Sequence, residues 1–195
     1  THKPFLANNP VEGAWNWGNM QSVGGVPLIV GDSLYFYCSG RQRNKIMWDS
    51  YTSTGLARLR RDGFVSMRGG RQGGELVTEP IVFDGKYLFV NADVKQKGGR
   101  LAVEVLDKDG RVLPGFSRKE CVAMKGKDST KQQITWKGHA GLETLAGQTV
   151  RLKFYLSSGD LYAFWISPWT TGESRGYTAG GGPGLSSTGI DQPLK

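Results

Sequence analysis

Histidine, cysteine and long apolar runs are scarce in this chain of 195 residues. It has two histidines and two cysteines, and no CxxC or HExxH spacing that would indicate a zinc site. Neither a Walker loop nor a GxGxxG motif is present, and the GGGPG at 180–184 is not followed by a helical pattern. No apolar run approaches the ~18 residues of a membrane span. These absences exclude the common nucleotide and zinc motifs, and they predict no membrane partner.

Catalysis by a serine or cysteine nucleophile is also disfavoured. His139, in KGHAG, is the only histidine away from the terminus, and no GxSxG elbow presents a serine. We interpret His139 as a solvated loop residue. A pair of carboxylates remains an alternative, because glycoside hydrolysis needs two acids ~5–10 Å apart. Six acids are candidates for such a pair: Glu12, Asp49, Glu75, Glu79, Glu104 and Glu120.

The composition indicates one basic, glycine-rich β protein. The net charge is +8, but lysines and arginines are dispersed, with short clusters only at 41–45 and 58–61. This pattern favours an ordinary basic surface over a nucleic-acid footprint, so no nucleic-acid partner is predicted. Cys38 and Cys121 lie in strand-like runs, which predicts two small buried hydrophobic residues, a single disulfide being the alternative.

Short turns that pair Asp with Gly between apolar stretches carry the fold prediction. Such turns favour two-residue hairpin loops, because Gly readily adopts positive φ and Asp tolerates it. We therefore predict antiparallel neighbours around each of them. The turns are Gly31-Asp32, Asp62-Gly63, Asp84-Gly85, Asp109-Gly110 and Gly159-Asp160.

Short strands with turns every 8–12 residues predict an all-β fold, an antiparallel β-sandwich of jelly-roll or lectin-like type with an N-terminal β-hairpin extension. The Gly-rich joint RGGRQGGE marks the boundary. The predicted organisation is an N-terminal loop and hairpin segment at 1–67, the sandwich at 68–170 and a Gly-rich tail at 171–195. A single helical turn is expected in GLETLAG, at 141–147.

Tryptophans supply the binding hypothesis. Trp136 and Trp165 lie in alternating strands and are predicted to be core residues. Others lie in polar, irregular segments, where an indole can stack on a sugar ring while neighbouring polar groups bind its hydroxyls. The alternative is that these indoles cap the open ends of the sandwich. The predicted ligand-binding residues are Trp15, Trp17, Arg41, Trp48, Asp49 and Tyr51.

Much of the chain resembles a known family. The resemblance lies in MQSVGGVPLIVGDSLYFYCSGR, STGLARLRRDGFVSM, GELVTEPIVFDGKYLFVNADV, RLAVEVLDKDGRVLPGFSRKEC and LAGQTVRLKFYLSSGDLYAFWIS. These stretches are similar to the C-terminal part of bacterial proteins related to glycoside hydrolase family 32, which join a five-bladed propeller to a β-sandwich. In that comparison 20–67 resembles the last propeller strands and 75–170 the sandwich. The family's NDPNG and RDP motifs are absent, and Glu120-Cys121 matches its Glu-Cys dipeptide only outside that context.

The resemblance and the tryptophans together predict a secreted or periplasmic carbohydrate-binding module without a catalytic step of its own. It would be an accessory or C-terminal portion of a polysaccharide-degrading enzyme, with a catalytic propeller as its partner domain. The positive charge suggests that the polysaccharide or oligosaccharide is anionic. No cofactor is predicted; structural calcium is implied by the resemblance alone. The alternatives are a small glycoside hydrolase or lyase, and a structural sandwich that supports a missing propeller.

Overall fold

The computed structural model describes residues 4–21, 24–42, 51–183, 185 and 187–193. Its contacts divide the chain into two compact units. The small unit comprises Thr1–Arg61 with Thr178–Leu185, and the sandwich unit comprises Asp62–Tyr177 with Ser186–Lys195. The division after Arg61 precedes the one that we placed after residue 67, and the Gly-rich tail contributes to both units.

The small unit is an antiparallel sheet built around one long strand. Its strands are β1 (Asn19–Met20), β2 (Leu28–Val30), β3 (Ser33–Arg41) and β4 (Thr52–Arg60). Strand β3 pairs along its whole length with β4, and its other edge pairs with the short strands β1 and β2. Gly31, at φ +56°, and Asp32 join β2 to β3 as the predicted two-residue hairpin.

One face of this sheet is apolar and packed. Along β3, Leu34 and Phe36 are buried at alternate positions and form a cluster with Ile29. Alternation turns the intervening tyrosines to the other face, where Tyr37 is exposed. The hairpin extension predicted from the sequence is therefore present.

The sandwich unit contains two four-stranded antiparallel sheets. The strands are β5 (Met67–Gly69), β6 (Gly74–Val77), β7 (Tyr87–Asp93), β8 (Arg100–Asp107), β9 (Met124–Lys125), β10 (Asp128–Ile134), β11 (Val150–Ser157) and β12 (Gly159–Ser167). One sheet has the strand order β10-β7-β12-β5 and the other has the order β6-β11-β8-β9. The predicted helical turn is a 3₁₀ turn at Glu143–Leu145.

The pairing within the sandwich follows a nested rule. The first strand of the unit pairs with its last, the second with the seventh, the third with the sixth and the fourth with the fifth. A long hairpin folded over on itself in this way is a jelly roll. The predicted class, an all-β antiparallel sandwich of jelly-roll type, is confirmed.

The hairpins expected at three of the five turns are absent. Asp62-Gly63 and Asp84-Gly85 each connect strands that belong to different sheets, and Gly159-Asp160 are the first residues of β12, which follows β11 of the other sheet. Asp109-Gly110 does form a local turn, since Leu106 bridges to Val112 across it. Residues 118–120 form a turn, and the two-residue strand β9 follows it at Met124–Lys125. In a jelly roll most successive strands cross between sheets, so a turn signal marks a chain reversal but does not identify the partner strand.

The sandwich core lies between the two sheets. The largest side chains without solvent exposure include Phe154, Leu88 and Leu101. Trp136 belongs to this core, as predicted, and its indole N–H donates to the Val103 carbonyl at 3.0 Å. Trp165 does not belong to it. Its neighbours Phe164 and Ile166 contact the core, so alternation places Trp165 on the outer side, stacked on Phe89 at 5.8 Å.

Both cysteines are free and buried, which confirms the reading of Cys38 and Cys121 as small hydrophobic residues. Cys38 belongs to the small unit, and Cys121 to the sandwich unit. Burial raises the pKa of the Cys121 thiol, so this side chain remains in its neutral form.

Candidate functional site

Trp15 lies on the apolar face of the small unit, above two glycines. A Cβ built on Gly40 would come within 2.4 Å of its six-membered ring, and one on Gly55 within 2.3 Å. Gly40 pairs with Ser53 and Gly55 pairs with Cys38, so the two glycines are diagonal neighbours on one face of β3 and β4, and the ring rests directly on the backbone there. Trp15 nevertheless keeps 40% of its surface exposed. One side of the indole is supported by protein and another side is open to solvent.

Of the predicted binding residues that the structure describes besides Trp15, only Tyr51 is placed on the same face of the sheet. Trp17 is half-buried in a turn, where its backbone N–H donates to the Ala14 carbonyl at 3.0 Å. Arg41 is exposed, but alternation from Gly40 places it on the opposite face of the sheet. Tyr51, just before β4, is 66% exposed, and alternation places it on the same face as Gly55. Trp48 and Asp49 lie outside the described residues.

The loop around Trp15 is fixed to the sheet by side-chain contacts. The Gln42 side-chain amide donates to the Gly13 carbonyl at 2.6 Å, and the Gln42 backbone N–H donates to the Tyr51 carbonyl at 3.1 Å. The Gly18 N–H donates to the Arg41 carbonyl at 2.8 Å. The indole is thus presented by backbone that is hydrogen-bonded on both sides.

Glu120 has an environment unsuited to a general acid. Its carboxylate accepts hydrogen bonds from the Ser117 hydroxyl at 2.7 Å and from the Ser117 backbone N–H at 3.0 Å. These bonds lower the pKa of Glu120, whereas a general acid must hold its proton near neutral pH. The carboxylate stabilises the turn before Cys121. Although Glu120-Cys121 matches the Glu-Cys dipeptide of the family, Glu120 therefore lacks the raised pKa that a general acid needs.

The other candidate acids are dispersed or already bound. Glu79 is 94% exposed at the side chain, and Glu12 lies in the small unit. Glu75 and Glu104 share the outer face of the β6-β11-β8 sheet. Glu75 pairs with Lys153 at 2.9 Å, and Glu104 accepts a very short hydrogen bond from the Tyr155 hydroxyl. Asp49 lies in the stretch 43–50, which the structure does not describe.

A groove that our sequence analysis did not predict opens on that same outer face. Its volume is about 550 Å³, within the ~300–1,000 Å³ typical of ligand pockets. Tyr155 of β11 lies opposite Ala102 of β8 and Glu75 of β6, and the small alanine leaves the depression beside the ring. The residues that line it are Gln72, Gly73, Gly74, Glu75, Arg100, Ala102, Arg118, Tyr155, Leu156 and Ser157.

Tyr155 is held at the centre of the groove by charged neighbours. Arg118 places its guanidinium 4.1 Å from the ring centroid, and the Lys153 ammonium lies 4.9 Å from it. Burial raises the pKa of Tyr155, and its hydrogen bond to Glu104 raises it further. The phenol is therefore a neutral donor that satisfies a buried carboxylate.

One signal in the sequence does point to this groove. The alternation in RLKFYL, at 151–156, places Arg151, Lys153 and Tyr155 on one face of β11. Arg100 and Arg118 come from segments far from it in sequence. The β8–β11 pairing brings Arg100 beside Tyr155, and the hydrogen bond from the Arg118 N–H to Glu104 of β8 places Arg118 there.

No protein-family model, curated protein or solved structure matches this chain. Among the described residues, no group of three or more His, Cys, Asp or Glu side chains is arranged to hold a metal ion. The described residues also include no helix long and apolar enough to cross a membrane.

Proposed function

We propose that this chain is a carbohydrate-binding β-sandwich module. The observation that carries the proposal is the Trp15 indole, which is supported from below by Gly40 and Gly55 and is 40% exposed. A pyranose presents an apolar face of C–H groups, and a rigid, half-exposed indole offers a flat apolar surface of matching size. The glycines matter because any larger residue at either position would displace the ring.

Preorganisation strengthens this proposal. The ring rests on hydrogen-bonded strands, so little conformational entropy is lost when a ligand stacks on it. Tyr51 shares the Gly55 face and is mostly exposed, which offers a second aromatic surface.

The wider setting of the module follows from the sequence resemblance. We infer that it acts as an accessory or C-terminal portion of a secreted or periplasmic polysaccharide-degrading enzyme, next to a catalytic propeller. In this setting the module holds the polymer near the catalytic domain. It performs no bond cleavage itself.

Binding to a panel of neutral and acidic oligosaccharides, measured by titration calorimetry, tests the proposal. We expect Trp15→Ala to weaken binding by at least about tenfold, since buried aromatic anchors dominate such interfaces. The matched control is Tyr177→Ala, because Tyr177 is an aromatic residue of the sandwich unit with 89% exposure.

Two results would contradict the proposal. Binding that is equal in wild type and Trp15→Ala would remove the indole from the site. A wild-type chain that binds no member of the panel would favour the structural alternative, a sandwich that only supports a propeller. Release of new reducing ends from the panel would instead favour the hydrolase alternative.

A further inference from the structure

The groove on the β6-β11-β8 face contains two exposed arginines, Arg100 and Arg118. Within the described part of the chain, neither guanidinium donates a hydrogen bond or forms an ion pair. The Arg118 guanidinium contacts the Tyr155 ring. An arginine held in a concave site with its donors unused can bind a carboxylate or sulfate in a bidentate manner.

The acids of the groove do not neutralise these arginines. Glu75 is paired with Lys153 at 2.9 Å. Glu104 is buried, accepts from the Tyr155 hydroxyl, and also accepts from the Arg118 backbone N–H at 3.2 Å. Both carboxylates are thus used internally, and the groove retains an excess of positive charge. The chain's net charge of +8 adds a long-range attraction for anions.

The groove is also preorganised. The Tyr155 hydroxyl is fixed by Glu104, and its ring in turn supports the Arg118 guanidinium at 4.1 Å. Because Glu104 also holds the Arg118 backbone, both ends of that residue are positioned before a ligand arrives. Rigid donors lose less entropy on binding than donors on a free side chain.

We infer that this groove binds the carboxylate or sulfate group of an acidic saccharide. The anionic chemistry follows from Arg100 and Arg118, and the identification of the ligand as a saccharide rests on the proposed function. The volume of about 550 Å³ suits one or two sugar rings. Gln72 and Ser157 line the rest of the groove and supply donors and acceptors for hydroxyl groups.

A pair of ligands of nearly equal shape tests this inference. Digalacturonate carries two carboxylates, and its methyl ester carries none. We expect the wild-type chain to bind the acid at least about tenfold more tightly than the ester, because a charge-assisted bidentate pair is lost. A sulfated disaccharide should bind with an affinity similar to that of digalacturonate, and inorganic sulfate should bind much more weakly than either.

Variants locate the binding. We expect Arg118→Gln and Arg100→Gln each to weaken digalacturonate binding by about tenfold. Arg111→Gln is the control, since Arg111 is an exposed arginine of the same unit outside the groove and its loss changes the net charge equally. Circular dichroism establishes that the variants fold.

Several results would overturn the inference: equal binding of acid and ester, equal losses in Arg118→Gln and Arg111→Gln, or sulfate binding as tightly as the disaccharides. Trp15→Ala separates this inference from the proposed function. If Arg118→Gln weakens digalacturonate binding and Trp15→Ala does not affect any saccharide, the groove is supported and the indole site fails. If Trp15→Ala alone weakens saccharide binding, the groove fails and the indole site is supported.

Discussion

The two units of this chain are built by different kinds of strand pairing. In the small unit, β2, β3 and β4 are consecutive in sequence and adjacent in the sheet. In the sandwich unit, the outermost strands of the sequence pair with each other, and most neighbours along the chain lie in different sheets. Turn signals in the sequence therefore identify which strands pair in the small unit, but in the sandwich unit they identify only some of the pairs.

The two units also differ in how much apolar surface they bury. The described core of the small unit has Ile29, Leu34 and Phe36 as its buried cluster. The described core of the sandwich unit contains twenty buried residues. Hydrophobic stabilisation scales with buried apolar area, so the sandwich is the more stable unit and the small unit depends more on individual contacts.

Replacing one buried phenylalanine by alanine in each unit tests this difference between the cores. Of the changes predicted here, we expect these to lower the free energy of unfolding most. Phe154 has no exposed surface in the sandwich core, so Phe154→Ala should lower the free energy of unfolding by about 3–5 kcal/mol. Phe36→Ala should cost less, about 2 kcal/mol, because its small cluster can close around the cavity. Urea unfolding combined with hydrogen exchange in each unit measures both values. Equal costs would contradict the proposed difference between the cores.

The salt bridge that joins the first and last strands of the sandwich should have the next largest effect. Asp160 is buried and accepts two hydrogen bonds from Arg68, at 3.0 and 3.1 Å, and one from Ser66 at 2.8 Å. The Arg68 hydrogen bonds lower the pKa of Asp160 below that of the unfolded chain. We expect Asp160→Asn to cost about 2 kcal/mol at neutral pH.

The sign of its pH dependence follows from that lowered pKa. The contribution of Asp160 is complete above the unfolded pKa of ~3.9 and is lost as the pH falls through the lower folded pKa. The stability difference between wild type and Asp160→Asn should therefore shrink below about pH 4. Asp109→Asn, at an exposed turn, is the control for the loss of one acidic side chain. A difference that grows on acidification would refute the assignment.

The smallest expected change in the free energy of unfolding comes from a substitution at Gly55, on which the Trp15 indole rests. A Cβ at Gly55 would lie 2.3 Å from the ring, so Gly55→Ala should displace it at a cost of about 1 kcal/mol. In a Trp15→Ala background the same change should cost almost nothing. Gly70→Ala, where a Cβ meets no atom within 4 Å, is the control. Tryptophan fluorescence and urea unfolding measure the cycle, and purely additive costs would show that the ring does not rest on Gly55.

The fold class could be predicted from the sequence because turns and alternation are local properties. Gly31-Asp32 and the alternation in RLKFYL specified a hairpin and a half-exposed strand correctly. The partners of each strand could not be predicted, since Asp84-Gly85 looks the same whether the chain stays in one sheet or crosses to the other. Trp165 was misplaced for a related reason: alternation separates two faces but does not say which one is inside.

The candidate sites were predictable to a smaller extent. Trp15 was recognisable as an indole in an irregular segment, but its glycine support depends on the β3–β4 register. The groove was missed because Arg100, Arg118 and Tyr155 come together only through long-range pairing.

Pairing of β5 with β12 also constrains the order of events during synthesis. Residues 67–69 leave the ribosome long before residues 159–161, with which they pair. The sandwich cannot close its sheet until nearly all of that unit has been translated, and contacts between such distant segments form slowly. A nascent chain stalled before Gly159 would expose an unpaired β7 edge, which is a template for aggregation, so early binding by chaperones is the expected fate of incomplete translation products.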